Sequence, residues 1–117
     1  MIAAEYDFEM QEGSVFDEYF IWKDSDGSPY DITSYTAKME IRKNKADAAI
    51  IDEVTVSVGT TDGRFDLDMT SVETRALAFD KAYYDLEVSP GGGDLNTAAD
   101  VIRILEGRII FSKEVTR

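Results

Sequence analysis

The chain has 117 residues, with 24 Asp and Glu against 12 Lys and Arg, which leaves a formal net charge of −12 at pH 7. The length fits one domain, and the 44% of hydrophobic residues can fill a core, which excludes a disordered acidic tail. This charge opposes binding to nucleic acid and to anionic membranes, so we expect protein partners, no nucleic acid and no membrane.

The sequence contains neither His nor Cys. The commonest acid/base near neutral pH, the thiolate nucleophile and the usual zinc ligands are therefore missing. We expect a protein that is not an enzyme and that has no catalytic residues, no cofactor and no metal. The first residues show no basic region followed by an apolar run, and no apolar stretch reaches the roughly 20 residues of a membrane span, so we expect a soluble, unexported protein.

Alternation with a period of two predicts two strands before residue 23. In residues 6–10, Tyr6, Phe8 and Met10 alternate with acidic residues, as in a half-buried strand. Residues 15–22 carry large side chains on both parities, so we interpret this strand as a central one with both faces covered. Residues 24–29 then combine Asp, Gly and Pro in a turn.

The middle of the chain predicts three more strands and a helical turn. Residues 35–42 have one apolar and one polar face, residues 44–49 form a polar loop, and residues 50–58 form the next strand. Asp62 and Gly63 give a hairpin signal before Arg64–Met69. An N-cap at Thr70 or Ser71 with Glu73 after it predicts one or two turns of helix.

Two strands complete the predicted set. Residues 79–88 resume the alternation, and the glycine-rich segment after Pro90 predicts an exposed, mobile loop of about ten residues. The last strand, residues 101–112, is apolar on both parities, and we interpret Gly107 as a bulge or bend within it.

These elements predict an all-β fold, an antiparallel immunoglobulin-like β-sandwich of about seven strands with one short helical turn. No repeat, linker or second core is visible, so residues 1–117 form a single domain, with its structured part from about residue 4 to residue 115. The residues expected in the core are Phe8, Phe20, Trp22, Met39, Ile41, Val56, Phe65, Leu67, Tyr84, Leu86, Ile104 and Ile109.

The strongest metal candidate is the segment from Asp24 to Gly27, because carboxylates two residues apart followed by Gly begin a calcium loop. A complete loop needs Glu at its twelfth position, where this chain has Tyr35. We therefore interpret these residues as a β-turn. Asp66 with Asp68, and Asp85 with Glu87, are interpreted as solvated faces of strands. Trp22 is expected in the core, with a glycan-binding aromatic as the alternative.

Three segments carry a family resemblance: FIWKDSDGSPYDITSYTAKMEIR at 20–42, YYDLEV at 83–88 and RILEGRIIFSKEVTR at 103–117. Together they resemble a family of small structural proteins encoded among the tail genes of tailed bacteriophages and prophages. The amino-terminal domains of upper-baseplate proteins, which carry fibres or receptor-binding proteins, look distantly similar. The chain departs from the family pattern at Ser34, where Gly is usual, at the insertion of Gly91, Gly92 and Gly93, and in the variable region 44–58.

The resemblance implies a non-enzymatic virion protein, an adaptor between the tail or baseplate and the fibres or receptor-binding proteins. It implies assembly in the host cytoplasm into a virion, in many symmetric copies beside other tail, baseplate or fibre proteins. A capsid decoration protein and a carbohydrate-binding β-sandwich are the alternatives. Exposed edges and loops supply the interface candidates, which are Tyr6, Asn44, Lys45, Gly91, Gly92, Gly93, Asp94 and Asn96.

Overall fold

The computed structural model of the chain describes residues 4–44, 52–77, 81–90 and 101–112. In these ranges the chain forms eight β-strands and one helix. The strands are β1 (Ala4–Glu5), β2 (Phe8–Gln11), β3 (Phe16–Ile21), β4 (Thr36–Arg42), β5 (Asp52–Val58), β6 (Arg64–Met69), β7 (Lys81–Ser89) and β8 (Ile102–Ser112). Helix α1 (Ser71–Ala76) lies between β6 and β7. Within the described ranges, no helix has the length and apolar character needed to cross a membrane.

Backbone pairing arranges the strands in the order β1, β8, β7, β4, β5, β6, β3, with β2 also paired to β8. Strand β5 belongs to two ladders, because Val54 pairs with Met39 of β4 and the next residue, Thr55, pairs with Asp68 of β6. The β8, β7, β4 group and the β3, β6, β5 group correspond to the two sheets of an immunoglobulin constant-type sandwich. The expected all-β, immunoglobulin-like fold is confirmed.

The sheet is mixed, which corrects the antiparallel prediction. Strands β1 and β2 run parallel to β8, with Ala4 opposite Leu105 and Phe8 opposite Ile109. The remaining pairs are antiparallel. Side-chain alternation reveals which residues face the core but carries no information about the direction of the neighbouring strand. Two parallel strands need a long connection between them, and here the chain from the end of β2 to the start of β8 forms that connection.

The two ends of this strand order meet across the core. The rings of Phe8 on β2 and Phe16 on β3 lie 5.5 Å apart, edge to face. The hydroxyl of Thr74 on α1 donates to the carbonyl of Ser14, just before β3, over 2.8 Å. The sheet therefore curls around a single hydrophobic cluster that draws on both ladders. All of the expected core residues are buried in it except Phe20 and Val56, which are partly buried and packed against it.

Strand β3 lies at an edge, which corrects its interpretation as a central strand. It pairs with β6 on one side, and no other strand of the described residues pairs with it. Val15 and Tyr19 remain 67% and 57% exposed. The large side chains on the outward face of this strand suggested that it was buried. Side-chain size and hydrophobicity alone do not distinguish a covered face from an exposed aromatic one.

Local turn chemistry matches the sequence. Thr70 is the N-cap of α1 and forms a capping box with Glu73, in which each side chain accepts from the other residue's backbone N–H. Gly63 ends the hairpin turn with φ of 63°. Ser34 also occupies the left-handed region, with φ of 69°, so the position where the resembling family usually has Gly is one that favours Gly.

Gly107 serves a different purpose from the predicted bulge. The register of β7 and β8 shifts between Leu86, which pairs with Leu105, and Glu87, which pairs with Arg103. Ile104 is therefore the extra residue. Gly107 lies directly under the backbone carbonyl of Tyr6, at a separation that a side-chain Cβ would not tolerate. The glycine lets the segment between β1 and β2 approach β8 closely. Close approach of another backbone is a reason for Gly inside a strand that is separate from a bulge or bend.

Candidate interaction surfaces

The outer face of β4, β7 and β8 carries a cleft of about 320 Å³. Arg42 from β4, Asp85 from β7, and Arg103 and Arg108 from β8 contribute to its walls, together with Tyr83. These residues project away from the core because they alternate with the buried Ile41, Tyr84, Leu86 and Ile109 along their strands. The cleft is thus lined by charged side chains and by two tyrosines, because Tyr84 also reaches it.

Ion pairs link the three strands across this face. The Arg42 guanidinium lies 2.7 Å from Oε1 of Glu40 and 3.2 Å from Oδ2 of Asp85. A second guanidinium, that of Arg103, lies 3.4 Å from the same Asp85 oxygen. Lys38 Nζ is 3.4 Å from Glu40 Oε2 and 4.0 Å from Glu87 Oε1. The polar side chains of β4 and β7 were expected to form a solvated face. They form a partly buried network of ion pairs instead.

Asp85 is the most perturbed carboxyl in this network. It is 9% exposed, and its Oδ1 is buried with no hydrogen-bond partner among the described residues. Burial and then the charge of Glu87 raise the pKa of Asp85, while Arg103 and Arg42 oppose the shift. Oxygens of Glu40, Asp85 and Glu87 lie within 4.8 Å of one another.

That carboxylate spacing suits a cation, but protein cations already occupy the surroundings. Lys38, Arg42 and Arg103 already neutralise these carboxylates, and Arg103 also pairs with Glu106 over 3.3 Å. A metal ion would compete with these ion pairs for the same oxygens. The arrangement is an ion-paired structural network, consistent with the large cost of burying unpaired charge.

Tyr6, an interface candidate from the sequence, lies beside this cleft on the link between β1 and β2. Tyr6 is 57% exposed, and its backbone N–H donates to the carbonyl of Glu106 over 3.0 Å. The next residue, Asp7, accepts from the backbone N–H and the guanidinium of Arg108, at 3.0 and 2.8 Å. These hydrogen bonds hold the pKa of Asp7 below its usual value.

Of the other interface candidates, Asn44 alone lies within the described residues. Asn44 is exposed just after β4, and strands β8 and β7 separate β4 from the strands that flank Tyr6. Lys45, Gly91, Gly92, Gly93, Asp94 and Asn96 lie outside the described residues. The proposed interface loops therefore remain predictions, and no strand pairing joins Tyr6 to Asn44 among the described residues.

The carboxylate of Asp24 is engaged in a turn. Its Oδ1 accepts from the backbone N–H of Asp26 at 2.9 Å and of Ser28 at 3.0 Å. Gly27 has φ of 85°, as expected in such a turn. These contacts support the interpretation of residues 24–29 as a turn, with the carboxylate serving the backbone.

A second groove, of about 740 Å³, lies beside the aromatic cluster of Trp22, Tyr30 and Tyr35 and includes Ile102 and Arg103. The ring of Trp22 is 4.3 Å from that of Tyr30 and 6.3 Å from that of Tyr35, centroid to centroid. Trp22 itself is only 7% exposed, which confirms its expected place in the core. The tyrosines, not the tryptophan, form the accessible part of the cluster.

The sequence reasoning missed an acidic surface on the outer face of β3 and β6. Asp17 lies directly opposite Asp68, and Tyr19 lies opposite Asp66. Arg64 is the cation of this pair of strands, 3.0 Å from Asp66 and 4.2 Å from the centre of the Tyr19 ring. The alternating Asp66 and Asp68 were interpreted as a solvated face from the sequence, but the pairing that places Asp17 against Asp68 was not visible there. We call these five residues the β3–β6 acidic face.

The chain matches no family model and no curated protein. Solved structures do match, among them the extracellular domain of the voltage-gated sodium channel beta4 subunit, described in connection with parallel homodimers and cell–cell adhesion. That match has 8% sequence identity and a TM-score of 0.48, and it covers 98% of this chain and 97% of the other. Adhesion and dimer formation are properties of that protein.

Proposed function

We propose that this chain is a non-enzymatic structural protein of a bacteriophage virion, an adaptor that links the tail or baseplate to fibres or receptor-binding proteins. The observation that supports it most is the resemblance of residues 20–42, 83–88 and 103–117 to the phage tail family. In this proposal the chain is assembled in the host cytoplasm and repeated around a symmetry axis in the virion.

Several of the resembling residues with described positions are ones that determine the fold. Ile32 is fully buried, and the position of Ser34 adopts the backbone conformation that favours the family's usual Gly. Gly107 accommodates the carbonyl of Tyr6. A resemblance that falls on such positions is expected when two chains share a scaffold, and a scaffold with variable loops suits a multi-copy assembly protein.

The surface chemistry also favours a protein partner. With a net charge of −12, identical copies repel each other through any solvated contact. Stable incorporation is therefore expected beside a different virion protein whose facing surface carries Lys and Arg. This expectation places the adaptor between unlike partners.

The test is assembly of particles with and without the chain, followed by counting fibres or receptor-binding proteins on each particle. We expect fibres to be absent without the chain and restored by adding it back. Particles that lack the chain but carry a full set of fibres would show that it is not the adaptor. Deleting residues 91–93 with the flanking tip is expected to preserve folding and weaken docking. A salt-independent closed ring of the purified chain would also contradict this proposal.

The carbohydrate-binding alternative has one observation in its favour, the groove beside Tyr30 and Tyr35. Aromatic faces in a groove can stack on apolar faces of ligands. Screening the chain against a glycan array, with Tyr30→Ala as the matched variant, distinguishes the two functions. Saturable glycan binding that Tyr30→Ala abolishes would favour the alternative over the adaptor.

A further inference from the structure

Hydrogen bonds define which groups of β3 face away from the sheet. The N–H of Trp22 donates to the carbonyl of Gly63 over 2.8 Å, and the N–H of Gly59 donates to that of Arg64, also over 2.8 Å. Because antiparallel ladders alternate, Phe16, Glu18 and Phe20 direct their backbone groups toward β6. The N–H and C=O groups of Asp17, Tyr19 and Ile21 consequently point to the outer side of β3, where no described strand pairs.

The same alternation makes Asp17 and Asp68 a pair without mutual hydrogen bonds. In such pairs the Cα atoms are only about 4.5 Å apart and the side chains are close. Like charges directly opposite each other destabilise a sheet. Asp66 adds a third carboxylate to the β3–β6 acidic face, and Arg64 is already engaged with Asp66 and with the ring of Tyr19. The face therefore has unbalanced negative charge beside backbone groups of β3 that pair with no other described strand.

A second copy of the chain does not fit this edge. Pairing two β3 strands would bring Asp17 and Glu18 of one copy near the same residues of the other, in a protein with a charge of −12. Charged side chains on edge strands, such as Asp17 and Glu18 on β3, are a common means of preventing self-association. An extended segment that carries Lys or Arg can bind at this edge, because the same carboxylates attract its positive charges.

We infer that the outer edge of β3 is a docking edge, to which an extended basic segment of a different protein adds as a further strand. The backbone of Asp17, Tyr19 and Ile21 pairs with the segment, and Asp17, Asp66 and Asp68 select Lys or Arg on its outer face. Tyr19, 57% exposed, offers its ring to a neighbouring side chain of the added strand. The inference deepens the proposed function, on which it rests, by naming the surface that would hold the partner.

The experiment uses the full chain at low salt with a ten-residue peptide in which Lys alternates with Val and Thr. A peptide with Glu in place of each Lys is the control for charge. Binding is measured by calorimetry, and amide protection is measured by NMR hydrogen exchange. We expect the Lys peptide to bind, the Glu peptide not to bind, and the amides of Asp17, Tyr19 and Ile21 to become protected in the complex.

Two matched pairs of variants test the charges and the backbone separately. Asp17→Lys is expected to weaken binding by about fivefold, while Glu9→Lys on β2, with the same change in net charge, leaves it unchanged. Tyr19→Pro and Tyr19→Ala both remove the ring, but only proline removes the outward N–H. Because that N–H is not part of the ladder with β6, the proline variant is expected to fold. It should bind about three- to tenfold more weakly than the alanine variant.

The inference is wrong if the Lys peptide binds no better than the Glu peptide, or if it binds without protecting these amides. Dimerisation through β3 in sedimentation experiments would also overturn it. If Tyr19→Pro fails to fold, the Asp17→Lys and Glu9→Lys comparison still decides the result. Fibre-bearing particles that lack the chain would contradict the adaptor function while leaving the peptide result intact, so the two failures are distinguishable.

Discussion

The hydroxyl of Tyr84, in the middle of β7, donates to the backbone carbonyl of Tyr6 over 2.6 Å. This hydrogen bond joins the centre of the sheet to the link between β1 and β2, 78 residues away in sequence. Burial, with smaller contributions from Asp7, Tyr6 and Glu106, raises the pKa of the Tyr84 hydroxyl, so it remains a donor at all physiological pH values.

Replacing Tyr84 with Phe removes this hydrogen bond without opening a cavity. We expect the free energy of unfolding to fall by about 1 kcal/mol, the usual net value of an intramolecular hydrogen bond. Urea denaturation measures the change, and Tyr83→Phe on the outer face of the same strand is the matched control. Equal effects of the two substitutions would show that the Tyr84 hydroxyl does not hold the amino-terminal segment.

Gly107→Ala tests the close approach of the Tyr6 carbonyl. The added methyl group meets backbone that cannot move without disturbing β1 and β2, so we expect a loss of about 3 kcal/mol. The control is Gly27→Ala, where φ is positive but the space is open, with an expected loss of about 1 kcal/mol. A smaller loss at Gly107 than at Gly27 would mean that the segment moves aside easily.

Ser34→Gly is expected to stabilise the protein. The left-handed conformation at this position costs an L-residue about 1 kcal/mol, and glycine avoids most of that cost despite its greater freedom when unfolded. Thermal denaturation should show a midpoint a few degrees higher. An unchanged or lower midpoint would indicate that the Ser34 backbone is not strained.

The raised pKa of Asp85 predicts a specific pH dependence. A carboxyl whose folded pKa exceeds its ordinary value of 3.8 favours folding when protonated. Its contribution is therefore most favourable below the unfolded pKa and is lost as pH rises through the folded pKa. The stability of the native protein relative to Asp85→Asn should fall as pH rises above about 4 and then become constant.

Asp7 serves as a control, because its contribution to stability is expected to change with pH in the opposite direction. Its pKa is lowered by Arg108, so its contribution is present above the ordinary pKa and is lost as pH falls through the folded value. The stability of the native protein relative to Asp7→Asn should thus decrease at low pH. Urea denaturation between pH 3 and pH 7 measures both differences, and profiles of the same sign would contradict the account of Asp85.

Calcium is expected to have no effect on stability. Oδ1 of Asp24 is already used by two backbone N–H groups of its own turn, so the turn needs no ion. Thermal midpoints in excess calcium and in excess chelator should agree within error. A saturable rise of several degrees in calcium would show that residues 24–29 bind the ion.

The sequence predicted the local features of the fold better than the relations between distant strands. Alternation identified inward residues such as Met39 and Leu86, and the Thr70 capping box and the Gly63 turn depend on neighbours in sequence. The parallel pairing of β2 with β8 depends on residues about a hundred positions apart, which no local pattern records. The edge position of β3 and the opposition of Asp17 and Asp68 were missed for the same reason.

The parallel pairing of β2 with β8 has a mechanical consequence. Tension that pulls the start of β1 away from the end of β8 acts along both strands in opposite directions. The four residue pairs from Phe8–Ile109 to Gln11–Ser112 would then be loaded together in shear, whereas an antiparallel pair pulled in this way would open one bond at a time. A component held under load between two larger structures would benefit from this geometry, because the slow rupture of the whole ladder limits its forced unfolding.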